Sequence, residues 1–323
     1  MISQAEMARR GVFGIDIGGT KCAVSRLKSD GTVEETERFE TREVAGTLAT
    51  LMEGLTRLGP SADSVVGISC GGPLDARRGV ILSPPNLPGW DAIPICDHVR
   101  RHIGGTAFLM NDANACALAE WRFGAGRGCR NMVFLTSGTG MGAGLILDGR
   151  LYEGTTGDAG EVGHLRLSRR GPVGFGKAGS FEGFCSGGGI ARLARMRIAE
   201  APSGLPDWAQ AAEISAKTVA QAALRGEPLA GAIFDEAGSR LGQALALLID
   251  ILNPERIVIG GIFPRCHSLL RPAMERVLVE EALSPSLTAC AILPAELGET
   301  IGSHGAIAVA LHGAEVFSNF SCL

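Results

Sequence analysis

The run Asp16-Ile17-Gly18-Gly19-Thr20-Lys21 directly follows the short apolar stretch Val12-Phe13-Gly14-Ile15. A strand ending in Asp-x-Gly-Gly-Thr turns tightly, and its glycines let the backbone come close to a bound group. The N–H donors of the turn and the Thr20 hydroxyl can cradle phosphate oxygens, with Lys21 supplying positive charge. Asp16, at the strand end, can hold Mg²⁺ through water, because that ion prefers oxygen ligands and keeps much of its hydration shell. Taken alone, the run also reads as an ordinary glycine-rich hairpin turn.

A second candidate loop narrows that choice. Thr136-Ser137-Gly138-Thr139-Gly140-Met141-Gly142-Ala143-Gly144 lies between the strand-like stretches 131–135 and 145–147. Its alternating glycines suit an N–H-lined anion site, with Gly138, Thr139 and Gly140 toward the phosphates. A strand rather than a helix follows, so it is not a Rossmann fingerprint, and it lacks the Gly-Lys-Ser/Thr ending of a Walker A loop. Two such loops, one opening each half of the chain, predict a duplicated α/β lobe with nucleotide phosphates clamped between the copies.

Composition excludes several classes. A net charge of −4, with 46% hydrophobic and 20% charged residues, fits a soluble globular protein and gives no reason to expect nucleic acid. The arginine pairs, from Arg9-Arg10 to Arg169-Arg170, are dispersed and read as solvated surface. No apolar run approaches the roughly 18–20 residues needed to span a bilayer, so no membrane partner is expected. Nine scattered cysteines without a Cys-x-x-Cys pair form neither a disulfide framework nor a metal knuckle. The expected location is the cytoplasm.

Periodicity predicts strands near 11–17, 21–28 and 32–39, a helix near 43–58, a strand at 64–70, a helix near 92–103 and a strand at 107–110. Asn111 and Asp112 then cap a helix over 113–123. The second half reads as strands near 131–136 and 143–148, then helices near 187–199, 214–225 and 228–252. The last of these carries an apolar stripe through Leu241, Ala244, Leu248 and Ile251. A strand at 256–259 ends at Gly260-Gly261, followed by helices near 267–282 and 303–312. Ala201–Pro206 reads as a loop. The expected division is a small lobe of residues 1–110 plus about 303–323, and a large lobe of 111–302.

These pieces, in order, are DIGGTK (16–21), GGPLD (71–75), PNLPGW (85–90), NDANACALAEW (111–121), SGTGMGAG (137–144), GEVGH (160–164) and IVIGG (257–261). Together they resemble the ROK family of bacterial sugar kinases, within the actin/hexokinase superfamily, over nearly the whole chain. The resemblance implies a two-lobed actin-like ATPase or ribonuclease H-like α/β fold with the ligand cleft between lobes. It implies ATP-dependent phosphorylation of a hexose or N-acetylhexosamine hydroxyl, Mg²⁺ as cofactor, and a homodimer.

Phosphoryl transfer to a hydroxyl needs a group that orients the hydroxyl and accepts its proton. Asp112 is that base in the family pattern; from the dipeptide alone it reads equally as a helix cap. By the same resemblance Asn86, Asn111, Glu161, His164 and Glu182 bind the sugar, and Gly260 and Gly261 form the adenosine-side loop. Each also has an ordinary reading: turn residue, surface charge, core histidine or simple turn.

One departure stands out. Family members follow GEVGH with Cys-x-Cys-Gly-x-x-Gly-Cys-x-Glu, whose cysteines and histidine bind a structural zinc. Here Val173, Phe175 and Ser180 occupy the cysteine positions. Zinc needs thiolate or imidazole ligands, and His164 alone cannot hold it, so zinc is not expected. Packing by Val173 and Phe175 is expected to order the loop instead, since the one nearby thiol, Cys185, does not restore a site. Alternatives to a kinase are a non-catalytic sugar-binding sensor of the ROK type, a repressor and a filament or chaperone ATPase. A repressor would need a DNA-binding module in the fifteen residues before Asp16, and a filament ATPase has no use for the sugar motifs.

Overall fold

The computed structural model describes residues 11–201 and 204–320. Arg9 and Arg10, residues 202 and 203 of the loop expected at Ala201–Pro206, and Cys322, one of the nine cysteines, lie outside the described residues. The chain divides into two compact units. One takes in the chain up to Arg127 and resumes at Leu297; the other runs Gly128–Glu296.

The first unit is built on a five-stranded sheet. Its strands are β1 (Val12–Ile17), β2 (Lys21–Leu27), β3 (Val33–Glu40), β4 (Val65–Cys70) and β7 (Thr106–Asn111), in the order β3-β2-β1-β4-β7; the small hairpin β5 (Leu74–Asp75) and β6 (Val80–Ile81) stands apart. Helices α1 (Val44–Arg57), α2 (Ile95–Ile103) and α3 (Asp112–Phe123) join them. β2 and β3 run antiparallel, whereas β1, β4 and β7 run parallel. Central strands covered on both faces carry apolar runs rather than alternation, and β4 is buried at all six residues. The C-terminal helix Ile301–Phe320 covers one face. Gly14 and Gly67, paired in register on β1 and β4, lie so close to Ala306, Ile307 and Ala310 that a Cβ at either would meet the helix. The opposite face packs Trp90, Leu51 and Leu55 against Ile15 and Ile68.

The second unit repeats this topology. β8 (Met132–Ser137), β9 (Met141–Leu147) and β10 (Arg150–Tyr152) are antiparallel neighbours, and β13 (Arg256–Ile259) and β14 (Ala291–Pro294) extend β8 in parallel, giving β10-β9-β8-β13-β14. The duplicated lobe predicted from two phosphate loops is therefore present as one strand order used twice. Between β10 and β13 lie the two-residue strands β11 (Val173–Gly174) and β12 (Lys177–Ala178), then α4 (Phe181–Cys185), α5 (Gly187–Glu200), α6 (Ala216–Leu224) and α7 (Pro228–Leu252); α8 (Phe263–Glu281) and α9 (Ser284–Ala289) follow β13.

The structure departs from expectation in the unit boundaries and in the stripe of α7. The first unit extends to Arg127 rather than residue 110, and resumes at Leu297 rather than 303, because α3 packs along the C-terminal helix. The buried Glu120 of α3 ties down both ends of this division, accepting from Ala125 N (2.8 Å) and Leu297 N (2.9 Å). On α7 the apolar stripe turns toward Leu245 and Ile249, leaving Ile251 73% exposed. The eight described cysteines are all free and six are buried, as small apolar side chains are.

Candidate functional site

The parallel pairing of β1, β4 and β7 brings three strand ends together. Asp16 pairs with Ser69, and Cys70 pairs with both Ile17 and Asn111, so Asp16, Ser69 and Asn111-Asp112 stand at the carboxyl ends of adjacent strands. Open α/β sheets present ligands at that edge. Asn111 is the true N-cap of α3, its Oδ1 accepting from Ala113 N at 2.9 Å. Asp112 is the first helical residue, and its Oδ1 also accepts from Ala113 N at 2.9 Å. Gly71 and Gly72 line this pair at van der Waals distance: a Cβ at 71 would stand 3.7 Å from Asp112 Oδ2, and one at 72 would stand 3.4 Å from Asn111 Nδ2.

Two carboxyls at this edge are held off balance. Burial, and then the charge of Asp112, push Asp16 up to about 6. Burial raises Asp112 as well, and the Ala113 N–H only partly offsets it. Asp112 as a residue is open to solvent, yet enough protein lies around its carboxyl to desolvate it. The Asp16 carboxylate also rests against Gly302 at the start of the C-terminal helix, where any Cβ would displace it. Two hard oxygen donors that resist ionising together suit a hydrated Mg²⁺, which would relieve both. Beside them Gly18 N bonds Lys21 O (3.0 Å), Thr41 Oγ1 bonds Gly18 O (2.6 Å), and Thr41 N bonds Thr20 O (3.0 Å). The turn is thereby closed with the Thr20 and Lys21 side chains exposed. Gly19 lies against the backbone of Asn86, whose loop is anchored by buried Leu87 and Trp90 and leaves Asn86 exposed.

The second unit gathers its own set. Ser137 holds the turn from β8 to β9 to its surroundings, its hydroxyl donating to Cys185 O (2.9 Å) and its carbonyl accepting from Ile262 N (2.7 Å). Gly138 N bonds Gly140 O (3.0 Å) and Gly138 O accepts from Gly187 N (2.8 Å), so Gly138–Gly140 and Gly260-Gly261 converge on one spot. Only a residue without Cβ fits at position 261, which is left-handed (φ +69°) and pressed on the Ser137 carbonyl. Glu182, in the first turn of α4, accepts from Met141 N (3.2 Å) and lies against Gly140. Glu161 flanks and His164 ends a single 3₁₀ turn, with Glu161 Oε2 4.0 Å from His164 Nε2. The sugar candidates Glu161, His164 and Glu182 thus share a neighbourhood with the loop Gly138–Gly140.

The segment that departs from the zinc pattern is ordered differently from the expectation. Val173 and Phe175 are 49% and 73% exposed, so neither enters a core. Backbone bonds do the holding instead: Leu167 N and Ser168 N to Gly179 O (2.9 and 3.1 Å), Gly179 N to Pro172 O (3.0 Å), and Phe181 N to Leu165 O (2.8 Å). Lys177 Nζ bonds His164 O at 2.8 Å. Beneath them Phe181 and Phe184 are fully buried. The donor set does not fit zinc: the His164 ring meets the Phe175 ring edge-on at 5.2 Å, and Cys185 Sγ turns inward to the Ala237 carbonyl (3.4 Å). A residue that sequence reasoning missed also borders the loop. Arg192 of α5 folds back over Gly188, beside the Thr139 carbonyl, and an arginine on an amphipathic helix gives no sequence signal.

Comparison with known proteins agrees with this geometry. The model of the ROK family matches residues 12–312. The glucokinase of Thermotoga maritima is 30% identical over 321 residues, covering 94% of this chain and 98% of that protein. A crystal structure of a ROK family glucokinase from Streptomyces griseus, in complex with glucose and AMPPNP, superposes with a TM-score of 0.74 at 30% identity, covering 94% of this chain and all of that one. A ROK hexokinase from Thermus thermophilus gives 0.77 at 29% identity, with 95% and 99% covered.

Proposed function

We propose, from the premise that this chain belongs to the ROK family, that Asp112 is the base in its transfer of phosphate to a hexose. The fold is the two-lobed actin-like α/β fold, and the protein is an ATP-dependent carbohydrate kinase acting on a hexose. The observation that carries the role of Asp112 is its place at a strand end beside Asp16, with its carboxyl raised toward the working pH. A base is most effective when its pKa lies near that pH.

The acceptor hydroxyl donates to the Asp112 carboxylate. As its oxygen bonds to the γ-phosphorus and the bond to ADP breaks, its proton passes to Asp112, leaving hexose phosphate and ADP. Asn111 has its Oδ1 engaged by Ala113 N, so its amide N–H₂ is what it offers the sugar. Asn86, Glu161, His164 and Glu182 orient the other hydroxyls. Thr20, Lys21 and the turn Gly18-Gly19, together with Gly138, Thr139 and Gly140, hold the phosphates, with Gly260-Gly261 on the adenosine side. Mg²⁺, held by Asp16 through water, would supply charge neutralisation on the transferred group. Glucose leads the candidate hexoses because relatives carry that activity in their names. A homodimer in the cytoplasm completes the proposal, and the free cysteines support a reducing compartment.

A coupled ADP-release assay with ATP and Mg²⁺ over glucose, mannose, fructose, allose and the N-acetylated hexosamines tests the reading. ADP release should depend on one hexose and match hexose phosphate formed. Release that no hexose stimulates would overturn it.

A further inference from the structure

Helix α5 opens on Gly187, Gly188 and Gly189, and the Arg192 guanidinium folds back over them. A Cβ at Gly188 would stand 3.2 Å from Arg192 Nη1, 3.6 Å from Nη2 and 2.9 Å from the Thr139 carbonyl oxygen. The guanidinium therefore borders the Gly138–Gly140 loop. It is also unmatched. Its Nε is buried without an acceptor, and among the described residues no carboxylate, carbonyl or hydroxyl takes a hydrogen bond from the group. Arg197, five residues along the same helix, shows the usual alternative: it donates twice to Glu236 (2.8 and 2.6 Å) and once to Glu200 (2.6 Å).

An unmatched cation is poorly placed here for two physical reasons. The first turn of a helix favours negative charge and opposes a cation. A buried N–H without an acceptor costs its desolvation. A side chain that merely reached for water would extend outward rather than bury Nε over the first turn. An anion beside the Gly138–Gly140 loop reverses both costs, since a guanidinium pairs with phosphate oxygens through charge-assisted, often bidentate hydrogen bonds.

We propose that Arg192 binds the phosphate groups of the nucleotide, completing the anion site that Gly138–Gly140 begins. The proposal rests on reading that loop as a phosphate loop. The chemistry recognised is a polyphosphate chain, and its source here is ADP or ATP rather than free inorganic polyphosphate.

Calorimetric titration of wild type, Arg192→Met, Arg192→Lys, Arg192→Ala and Thr139→Val with ADP, adenosine and pyrophosphate tests it. Arg192→Met should weaken ADP and pyrophosphate about tenfold or more, the scale of one charge-assisted hydrogen bond, and leave adenosine and the hexose KM unchanged. Its Tm should not fall, because the substitution removes an unmatched buried N–H. Arg192→Lys should lie between, and Arg192→Ala, which removes the guanidinium without pressing on the loop, should behave like Arg192→Met and decides the matter if that variant does not fold. Equal weakening of ADP and adenosine, or unchanged ADP binding, overturns the proposal. If Thr139→Val weakens ADP while both the Met and Ala variants do not, the loop reading stands and Arg192 is excluded. If none of the three changes ADP binding, the loop reading falls too. Weakening of pyrophosphate alone would assign the residue to a bare polyphosphate donor and overturn the nucleotide assignment.

Discussion

In the first unit, Asp16 and Asn111-Asp112 are spaced by the register of three hydrogen-bonded strands, so their positions follow from the backbone ladder itself. In the second, Glu161, His164 and Glu182 ride on a 3₁₀ turn and a five-residue helix, placed by loop-to-loop bonds. The two arrangements carry different energies. The first holds carboxyls raised by burial, a cost that a rigid sheet can sustain. The second has no such tension in its loop, whose backbone groups are largely matched, and it tolerates exposed apolar side chains at Val173 and Phe175. Substitution should therefore change chemistry sharply in the first region and mainly affinity in the second.

Apart from loss of the base itself, the largest effect should come from Asp16→Asn, which should lower activity by roughly 10- to 100-fold, the scale for losing a metal-orienting group. The same variant should be more stable. A carboxyl raised in the folded state lends most stability below its unfolded value, and that stability is lost as pH rises through about 6. At pH 7.5 without divalent cations the neutral amide avoids this loss, and Tm should rise by about 2–5 °C. Scanning calorimetry should show the gain shrinking as pH is lowered past 6. A pH-independent gain would mean that Asp16 is not the titrating group.

Glu182→Gln should come next, raising the hexose KM about tenfold with a smaller change in kcat, since it weakens a charge-assisted contact while the base remains. A kcat loss as large as that of Asp16→Asn, read from initial rates over a hexose series, would erase the contrast between the regions.

The smallest effect should come from Val173→Ser with Phe175→Gly. Both side chains are exposed, and glycine relieves the left-handed backbone at Phe175 (φ +43°). Tm should shift by no more than about 2 °C and the hexose KM by less than about threefold, as for ordinary surface substitutions. In the same preparations, elemental analysis should find no stoichiometric zinc, and activity should survive a strong chelator once Mg²⁺ is resupplied. Unfolding of the double variant, or one zinc per chain, would show that the hairpin needs an anchor after all.

This contrast also explains what could be read in advance. The strands that lead to Asp16 and Asp112 were legible because a charged residue ending an apolar run is a strong local signal, and the helices because their apolar period is long. β14 was not, since Ala291–Pro294 is four residues long and ends in proline, and its strand character comes only from pairing with β13. The helix after β13 begins at Phe263 rather than near 267, because Pro264 fits a first turn. The unit boundary was misplaced because the packing of α3 on the C-terminal helix is a long-range contact that no local pattern announces. In the second unit the resemblance supplied Glu161, His164 and Glu182, and the structure gathers them near the Gly138–Gly140 loop. The ordering of residues 165–182 depends on backbone bonds between loops, which composition does not encode; Val173 and Phe175 were expected to order it by packing, but both are exposed, and Phe175 meets the His164 ring only edge-on. Arg192 escaped notice because its meaning lies in the partner it lacks.

Asp112→Asn is the most direct test of the central claim, with hexose affinity measured by titration and turnover measured on the same sample. Aspartate and asparagine are nearly isosteric, and Asn Oδ1 can still accept from Ala113 N. The account predicts hexose affinity within a few-fold of wild type and kcat lower by about 10²-fold or more, the loss expected when a general base is removed. Near-wild-type turnover would make Asp112 a helix-start residue and move the proton to another group. A parallel collapse of affinity and turnover would make it a binding residue instead.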